Sequence, residues 1–302
     1  MSIQLYPFLF MLASTFSLSL TGLLSKFLSQ YVDLATLGFL RFVVPAAIIL
    51  LITRQSMMMP RGRLARTIWL RAICIAGCQL CFIYSLLHLS LVESIVLFGT
   101  GPLFIPVLER LIYKTPLQWL SIASLVATFY GVTLLAGDVS DISLRPELLV
   151  GLASGLLNAG SQLSLYRISK SSLSALEINY WTFLFAGLVL LPFVGYSYVS
   201  LDTLVDVSVL PWEGLSALLI VVSALIINTQ VFRAKAYRLA NSGTQLAPLV
   251  FTNVLFTALW QQIYFDVSYT VTQSVGLLLI LAANMFVVLF PIYRRRYNAK
   301  AA

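Results

Sequence analysis

The sequence predicts an all-α membrane protein: ten transmembrane helices in two inverted five-helix repeats. Three observations predict it. Hydrophobic residues make up 60% of the 302 residues and charged residues only 10%, with a mean hydropathy of +0.93; a soluble domain carries roughly 25% charged residues. Ten apolar stretches follow one another with little chain left for loops, and a span needs about 20 mostly apolar residues. The gaps between them also alternate in charge. Sixteen of the nineteen Lys and Arg fall in alternate gaps: Arg54, Arg61, Arg63, Arg66 and Arg71; Arg110 and Lys114; Arg167 and Lys170; Arg233, Lys235 and Arg238; Arg294, Arg295, Arg296 and Lys300. The intervening gaps carry Asp33, then Asp138, Asp141 and Glu147, then Asp202, Asp206 and Glu213, then Asp266. Cytoplasmic loops collect Lys and Arg, so both termini are expected inside. Five helices per half is an odd number, so a second, related half must lie upside down relative to the first.

The elements follow in order. The first span, 7–28, has no basic region before it and no small-residue cleavage signal after it, so it reads as a retained helix. It carries Ser14, Ser17, Thr21 and Ser25 on one face and Lys26 near its end. Span two, 34–53, contains Arg41 and Pro45. Span three, 67–89, carries Cys74, Cys78 and Cys81 on one face, Gln79, and His88 at its close. Span four, 92–111, opens at Glu93 and is interrupted by Gly99-Thr100-Gly101-Pro102, with Pro106 beyond. Span five, 117–136, has Ala123, Ala127 and Gly131 every four residues. The chain divides at the acidic loop that follows, into residues 1–140 and 141–302.

Span six, 148–168, repeats the small-residue ladder with Gly151, Gly155 and Ala159, and carries Asn158, Ser161 and Gln162. Span seven, 175–196, holds Tyr180, Trp181 and Pro192. Span eight, 213–233, contains Asn228 and Gln230, with Lys235 and Arg238 at its end. Span nine, 242–265, contains Pro248, Thr252 and Asn253, and span ten is 272–293. Small-residue ladders let helix backbones approach closely, and packing within the bundle is their first role, a dimer face the lesser one.

Two internal signals join the halves. With Pro102 laid over Asn253, Ile112 and Tyr113 meet Ile263 and Tyr264, and Gln79 meets Gln230. Prolines inside spans free a backbone carbonyl, which survives in lipid only against protein or a wet cavity. Interrupted helices at matching places in two repeats point to a substrate site, so Gly99, Gly101, Pro102 and Pro248 are candidate gating positions. The cysteines are expected to be packing residues, since neighbouring turns of one helix cannot surround a metal. No metal and no cofactor is expected. The net charge of +8 is loop charge facing membrane lipids, with no basic surface large enough for nucleic acid.

Several residues resemble the drug/metabolite transporter superfamily, EamA-type, across nearly the whole chain. Arg41 in Leu-Gly-Phe-Leu-Arg-Phe-Val-Val-Pro matches the family's span-two Arg. Leu91-Val92-Glu93-Ser94-Ile95 and Pro102-Leu103-Phe104 match its span-four pattern. The chain departs from that pattern at Lys114-Thr115 and Phe265-Asp266, where the family has Gly-Glu, and at Asn253, where it has Pro. The resemblance implies a ten-helix inverted-repeat carrier of small metabolites, often working outward, in a bacterial inner membrane.

Ionisable groups within spans are costly and face the bundle interior, which makes Arg41, Glu93 and His88 candidates for coupling or gating. Arg41 and Glu93 sit at matching depth near the outer end, where a pair could receive an amino-acid-like or zwitterionic substrate and exchange a proton. A structural ion pair fixing spans two and four is the alternative. Ser17, Thr21, Gln79, Asn158, Gln162, Gln230, Asn253 and Trp181 are candidate substrate contacts, because buried amides need partners. Ser and Thr can instead bond their own helix backbone. The expected activity is secondary-active export of a small metabolite by alternating access. The alternatives are a channel or a non-transporting receptor, and, less favoured, an intramembrane enzyme: the single His leaves little for hydrolytic chemistry.

Overall fold

The computed structural model describes residues 5–28, 31–53, 59–89, 94, 97–114, 119–136, 146–200, 212–265 and 268–301. Among the described residues there are ten α-helices and no strand: α1 (Tyr6–Leu28), α2 (Leu34–Thr53), α3 (Arg63–His88), α4 (Gly101–Tyr113), α5 (Trp119–Ala136), α6 (Pro146–Ser169), α7 (Ala175–Ser200), α8 (Trp212–Leu239), α9 (Thr252–Phe265) and α10 (Val271–Ala301). Six of them, α1, α2, α3, α6, α7 and α8, are long and apolar enough to cross a membrane. Helices α5 and α10 contain shorter apolar stretches. Helices α4 and α9 have 13 and 14 residues, about 20 Å at 1.5 Å per residue, short of a hydrocarbon layer of roughly 30 Å.

Both short helices begin at a break. Residues 97–99 are helical, Thr100 is a turn, and α4 starts at Gly101 with Pro102 in its first turn, where a missing N–H costs nothing. Before α9 come turns over residues 244–247 and the 3₁₀ turn Pro248–Phe251. With Pro102 laid over Asn253, Gly101 falls on Thr252, so the two half-helices start at equivalent positions.

Side-chain caps set several starts. The Asp33 carboxylate accepts from the N–H groups of Ala35 and Thr36 at 3.0 and 2.9 Å, opening α2. Ser174 with Glu177 before α7, and Thr270 with Gln273 before α10, form reciprocal capping boxes. Helix α4 ends on Lys114 in the left-handed conformation, φ 55°, a position that ordinarily takes Gly.

The helices pair across the two halves of the chain. The dominant contacts are α3 with α6, α1 with α8, α5 with α10 and α2 with α7; α4 with α6, α1 with α9, α3 with α7 and α2 with α8 follow. Exchanging each helix of one half for its counterpart maps this set onto itself. Lipid tails offer no hydrophobic force between helices, so close packing and interhelical hydrogen bonds hold the bundle. A Cβ on Gly131 would lie 2.8 Å from the Gly276 carbonyl oxygen, which places the α5 and α10 backbones in direct contact. Gly155 lies under the Leu97 carbonyl in the same way, at 2.8 Å from a built Cβ.

Polar seams complete the bundle. Ser14 donates to the Thr229 carbonyl at 2.8 Å, the hydroxyls of Thr15 and Thr252 meet at 2.7 Å, and Trp260 Nε1 donates to Ser19 at 3.0 Å, tying α1 to α8 and α9. One apolar cluster, including Met11, Ile49, Ile68, Leu165, Phe183 and Leu246, joins α1, α2, α3, α6, α7, α8 and the turns before α9; a second, with Ile105, Leu125, Ala159, Phe251 and Ile280, joins α4, α5, α6, α10 and the turn into α9.

Two loop cations are corrected. Arg71 and Arg233, counted in the basic gaps, lie within α3 and α8 at 1% and 4% exposure. Each helix extends past the span that hydropathy suggests and carries its arginine into the bundle, where neutral oxygens receive the Arg71 guanidinium.

Candidate functional site

A cavity of about 260 Å³ lies between the two halves. Its polar lining comes from both. Arg41 of α2 and Gln79 of α3 face Asn158 and Gln162 of α6, Thr229, Gln230 and Arg233 of α8, and Asn253 of α9. Phe42, Phe98, Phe183 and Phe251 supply aromatic walls, with Ile75, Ile226, Val250 and Val254 between them. Gly99 and Pro102 reach it from the break before α4. No Asp or Glu is among the described residues that line it.

The end nearest the basic loops is built around two arginines. Arg71 donates from Nη1 to Asn179 Oδ1 at 3.0 Å and to Thr182 Oγ1 at 3.1 Å, and from Nη2 to Gln230 Oε1 at 3.0 Å. Asn179 and Thr182 are fully buried on α7, so three neutral acceptors from two helices hold this cation. Arg233 lies beside it as an electrostatic neighbour. The Nε and Nη2 atoms of Arg233 are buried without a hydrogen-bond partner, as are Thr229 Oγ1 and Asn253 Oδ1. The buried Tyr237 hydroxyl donates to Gln162 Oε1 at 3.4 Å, one turn beyond Arg233.

Below the arginines, the basic end of the bundle is tied shut. Glu109 of α4, 2% exposed, accepts from the Gly243 and Thr244 N–H groups at 2.9 Å each and from the Thr244 hydroxyl at 2.5 Å. These donors open the run of turns leading into α9, where free N–H groups and the helix dipole favour an anion. Around it, Tyr166 donates to the Asn241 carbonyl at 2.8 Å, and Lys170 Nζ to the carbonyls of Arg238 and Ala240 at 2.8 and 2.5 Å. Arg238 returns bonds to the carbonyls of Ser169, at 2.7 Å, and Leu173. Partial burial lowers the pKa of Lys170, which lies just past α6, from the ordinary lysine value.

The other candidates fall elsewhere. Ser17 donates to the Ala13 carbonyl and accepts from Asn228 at 2.8 Å, and Thr21 bonds the Ser17 carbonyl, so both serve the α1 packing face. Trp181 packs edge-on to Tyr180 and beside Phe185, away from the cavity. His88 is exposed at the acidic end, stacked on Tyr84 at 4.1 Å. Gly101 packs against Asn158 and Gly155, and Pro248 is buried at the start of the 3₁₀ turn. Glu93 is outside the described residues.

Helices α1, α3, α4, α6, α8 and the α9 segment all contribute lining, and α2, α5 and α7 add Arg41, Phe42, Val132 and Phe183. Arg71, Arg233 and Glu109 are the site residues that sequence reasoning passed over. Their signal was spacing: Arg71 lies eight residues before Gln79, and Gln230, Arg233 and Tyr237 follow at three and four residues on one helix face.

Residues 5–137 match the EamA-like transporter family. The chain is similar, at 22% identity over 270 residues, to the pseudopaline exporter CntI of two Pseudomonas aeruginosa strains, with 89% of this chain and 91% of that protein covered. A crystal structure of another protein superposes with a TM-score of 0.72 at 15% identity, over 97% of this chain and 98% of that one, which establishes the shared fold. The long apolar helices, with these similarities to transporters, make the chain an integral membrane protein.

Proposed function

We propose that the chain is a secondary-active exporter of a small polar metabolite, working by alternating access in a bacterial inner membrane with both termini cytoplasmic. The cavity between the halves carries this reading: polar side chains from both halves face it, and hydrogen bonds close its basic end. The positive-inside rule makes that end the cytoplasmic one. The Glu109 cap and the Lys170 and Arg238 bonds then form the inner gate, to be broken when the cavity opens inward. Pairing of helices across the halves, and half-helices that start in the same register, support two inverted five-helix repeats, residues 1–140 and 141–302, rocking about the site. The similarity to an exporter supports the outward direction.

Within this scheme Gln79, Asn158, Gln162, Gln230 and Asn253 contact substrate, while Arg41, with Glu93, belongs to the outer gate and to proton coupling. Gly99, Gly101, Pro102 and Pro248 permit the half-helices to tilt. The test is expression in a bacterial host with mass-spectrometric comparison of cell contents and medium. The proposal expects a defined set of small molecules to move from cell to medium, and to remain inside with an Asn158→Leu, Gln230→Leu double variant. Identical profiles with and without the chain, or accumulation inside, contradict it.

A further inference from the structure

We propose that the cytoplasmic end of the cavity is an oxyanion site in which Arg233, supported by Arg71, binds a carboxylate or phosphate of the transported molecule; this rests on the cavity being the transport site. The observation is a pair of buried cations without a counter-charge among the described residues. Arg233 is 4% exposed and lines the cavity, and two of its guanidinium nitrogens lack a partner. Arg71, 1% exposed, is held by neutral oxygens alone, and its Nε is also unpartnered. An isolated buried cation is expensive unless something pairs with it.

Among the described residues, no acid supplies that partner. Of the described acids, Asp33, Glu147 and Glu213 sit at the starts of α2, α6 and α8, at the opposite end of the bundle. The two acids of the basic end are engaged: Glu109 caps Gly243 and Thr244, and Glu177 caps α7 through Ser174. A planar guanidinium presents parallel N–H donors that match a carboxylate or phosphate in bidentate geometry. Orphaned donors of Arg233, with the Gln162 amide alongside, suit an oxyanion. The remaining lining includes the aromatic rings of Phe183 and Phe251 and the amides of Asn158 and Asn253. The ligand class is therefore a small organic anion with an apolar body. At about 260 Å³ the cavity falls just below the roughly 300–1,000 Å³ of drug-sized pockets.

The experiment measures the thermal stability of the purified full chain in detergent with phenylacetate, phenyl phosphate and neutral phenylacetamide. At concentrations well above the dissociation constant, at least one of the two anions should raise Tm by about 2 °C or more, whereas phenylacetamide should not. Which anion acts distinguishes carboxylate from phosphate. In Arg233→Gln the anion effect should vanish, while the anion-free Tm should hold or rise, because an unpaired buried cation has been removed. A merely structural arginine would give the reverse, a fall in anion-free Tm. No shift with either anion, an equal shift with the amide, or a shift that survives Arg233→Gln and Arg71→Gln overturns the proposal. Anion binding that persists in a protein that moves nothing across a membrane leaves the site standing and refutes the transport reading instead.

Discussion

Replacing Glu109 with Ala should open the cytoplasmic gate. The carboxylate accepts three hydrogen bonds at the entry to α9, from the Gly243 and Thr244 amides and the Thr244 hydroxyl, at a site 2% exposed. Each buried donor left without a partner costs about 1–3 kcal/mol. Three at the low end give about 3 kcal/mol against the closed conformation, offset in the open one, where water reaches the same groups. At 1.4 kcal/mol per factor of ten, the closed–open equilibrium shifts on the order of 100-fold. Glu109→Gln keeps one acceptor oxygen and loses the charge assistance, so its shift should be nearer tenfold. Cys78 supplies the assay, since it lines the cavity and is buried. With Cys74 and Cys81 replaced by Ala, N-ethylmaleimide should label Cys78 in inside-out vesicles many times faster in Glu109→Ala, and intermediately in Glu109→Gln. Labelling within twofold of the parent in a folded Glu109→Ala protein would refute the gate.

Other outcomes follow from the same bundle. Cysteines introduced at Asp141 and Asp206 should react with an impermeant maleimide in intact cells; labelling only after lysis would invert the topology. Glu93→Gln should flatten the pH dependence of transport if Glu93 is the coupling acid, and unchanged pH dependence would assign it to scaffold. Gly131→Val should lower Tm by several degrees, because even a Cβ there lies 2.8 Å from the Gly276 oxygen and from Ile280 Cγ1, and overpacking costs about 1–3 kcal/mol. Lys114→Gly should be neutral or stabilising by about 1 kcal/mol in thermal melts, since a left-handed residue pays for its Cβ.

The membrane fold was legible because bilayer thickness imposes a length on apolar runs and loop charge imposes an alternation. The breaks at Gly99 to Pro102 and Pro248 were legible because Gly and Pro act on the backbone locally. The arginines were not, for a physical reason. An Arg one or two turns inside a helix end looks the same to hydropathy whether it snorkels outward to water or turns inward, and only neighbours distant in sequence decide. Asn179, Thr182 and Gln230 turn Arg71 inward; each reads alone as an ordinary polar residue in a span. Glu109 was obscured likewise, since its partners lie in the loop after α8. The Ser and Thr stripe of α1 was visible as a stripe, but Ser14 and Ser17 tie α1 to α8, and Thr21 bonds its own helix. Periodicity shows a polar face; it does not show what the face meets.

The central claim is that one site, reached alternately from either side, carries a small molecule across the membrane. Counterflow tests it most directly. The chain is reconstituted into liposomes loaded with unlabelled substrate, taken from the molecules that expression moves into the medium, and a trace of the same labelled compound is added outside. Alternating access predicts transient accumulation of label inside, above the external concentration, with loss of that overshoot in Arg233→Gln. Label that only equilibrates, at a rate indifferent to the internal pool, would contradict the account and mark a channel.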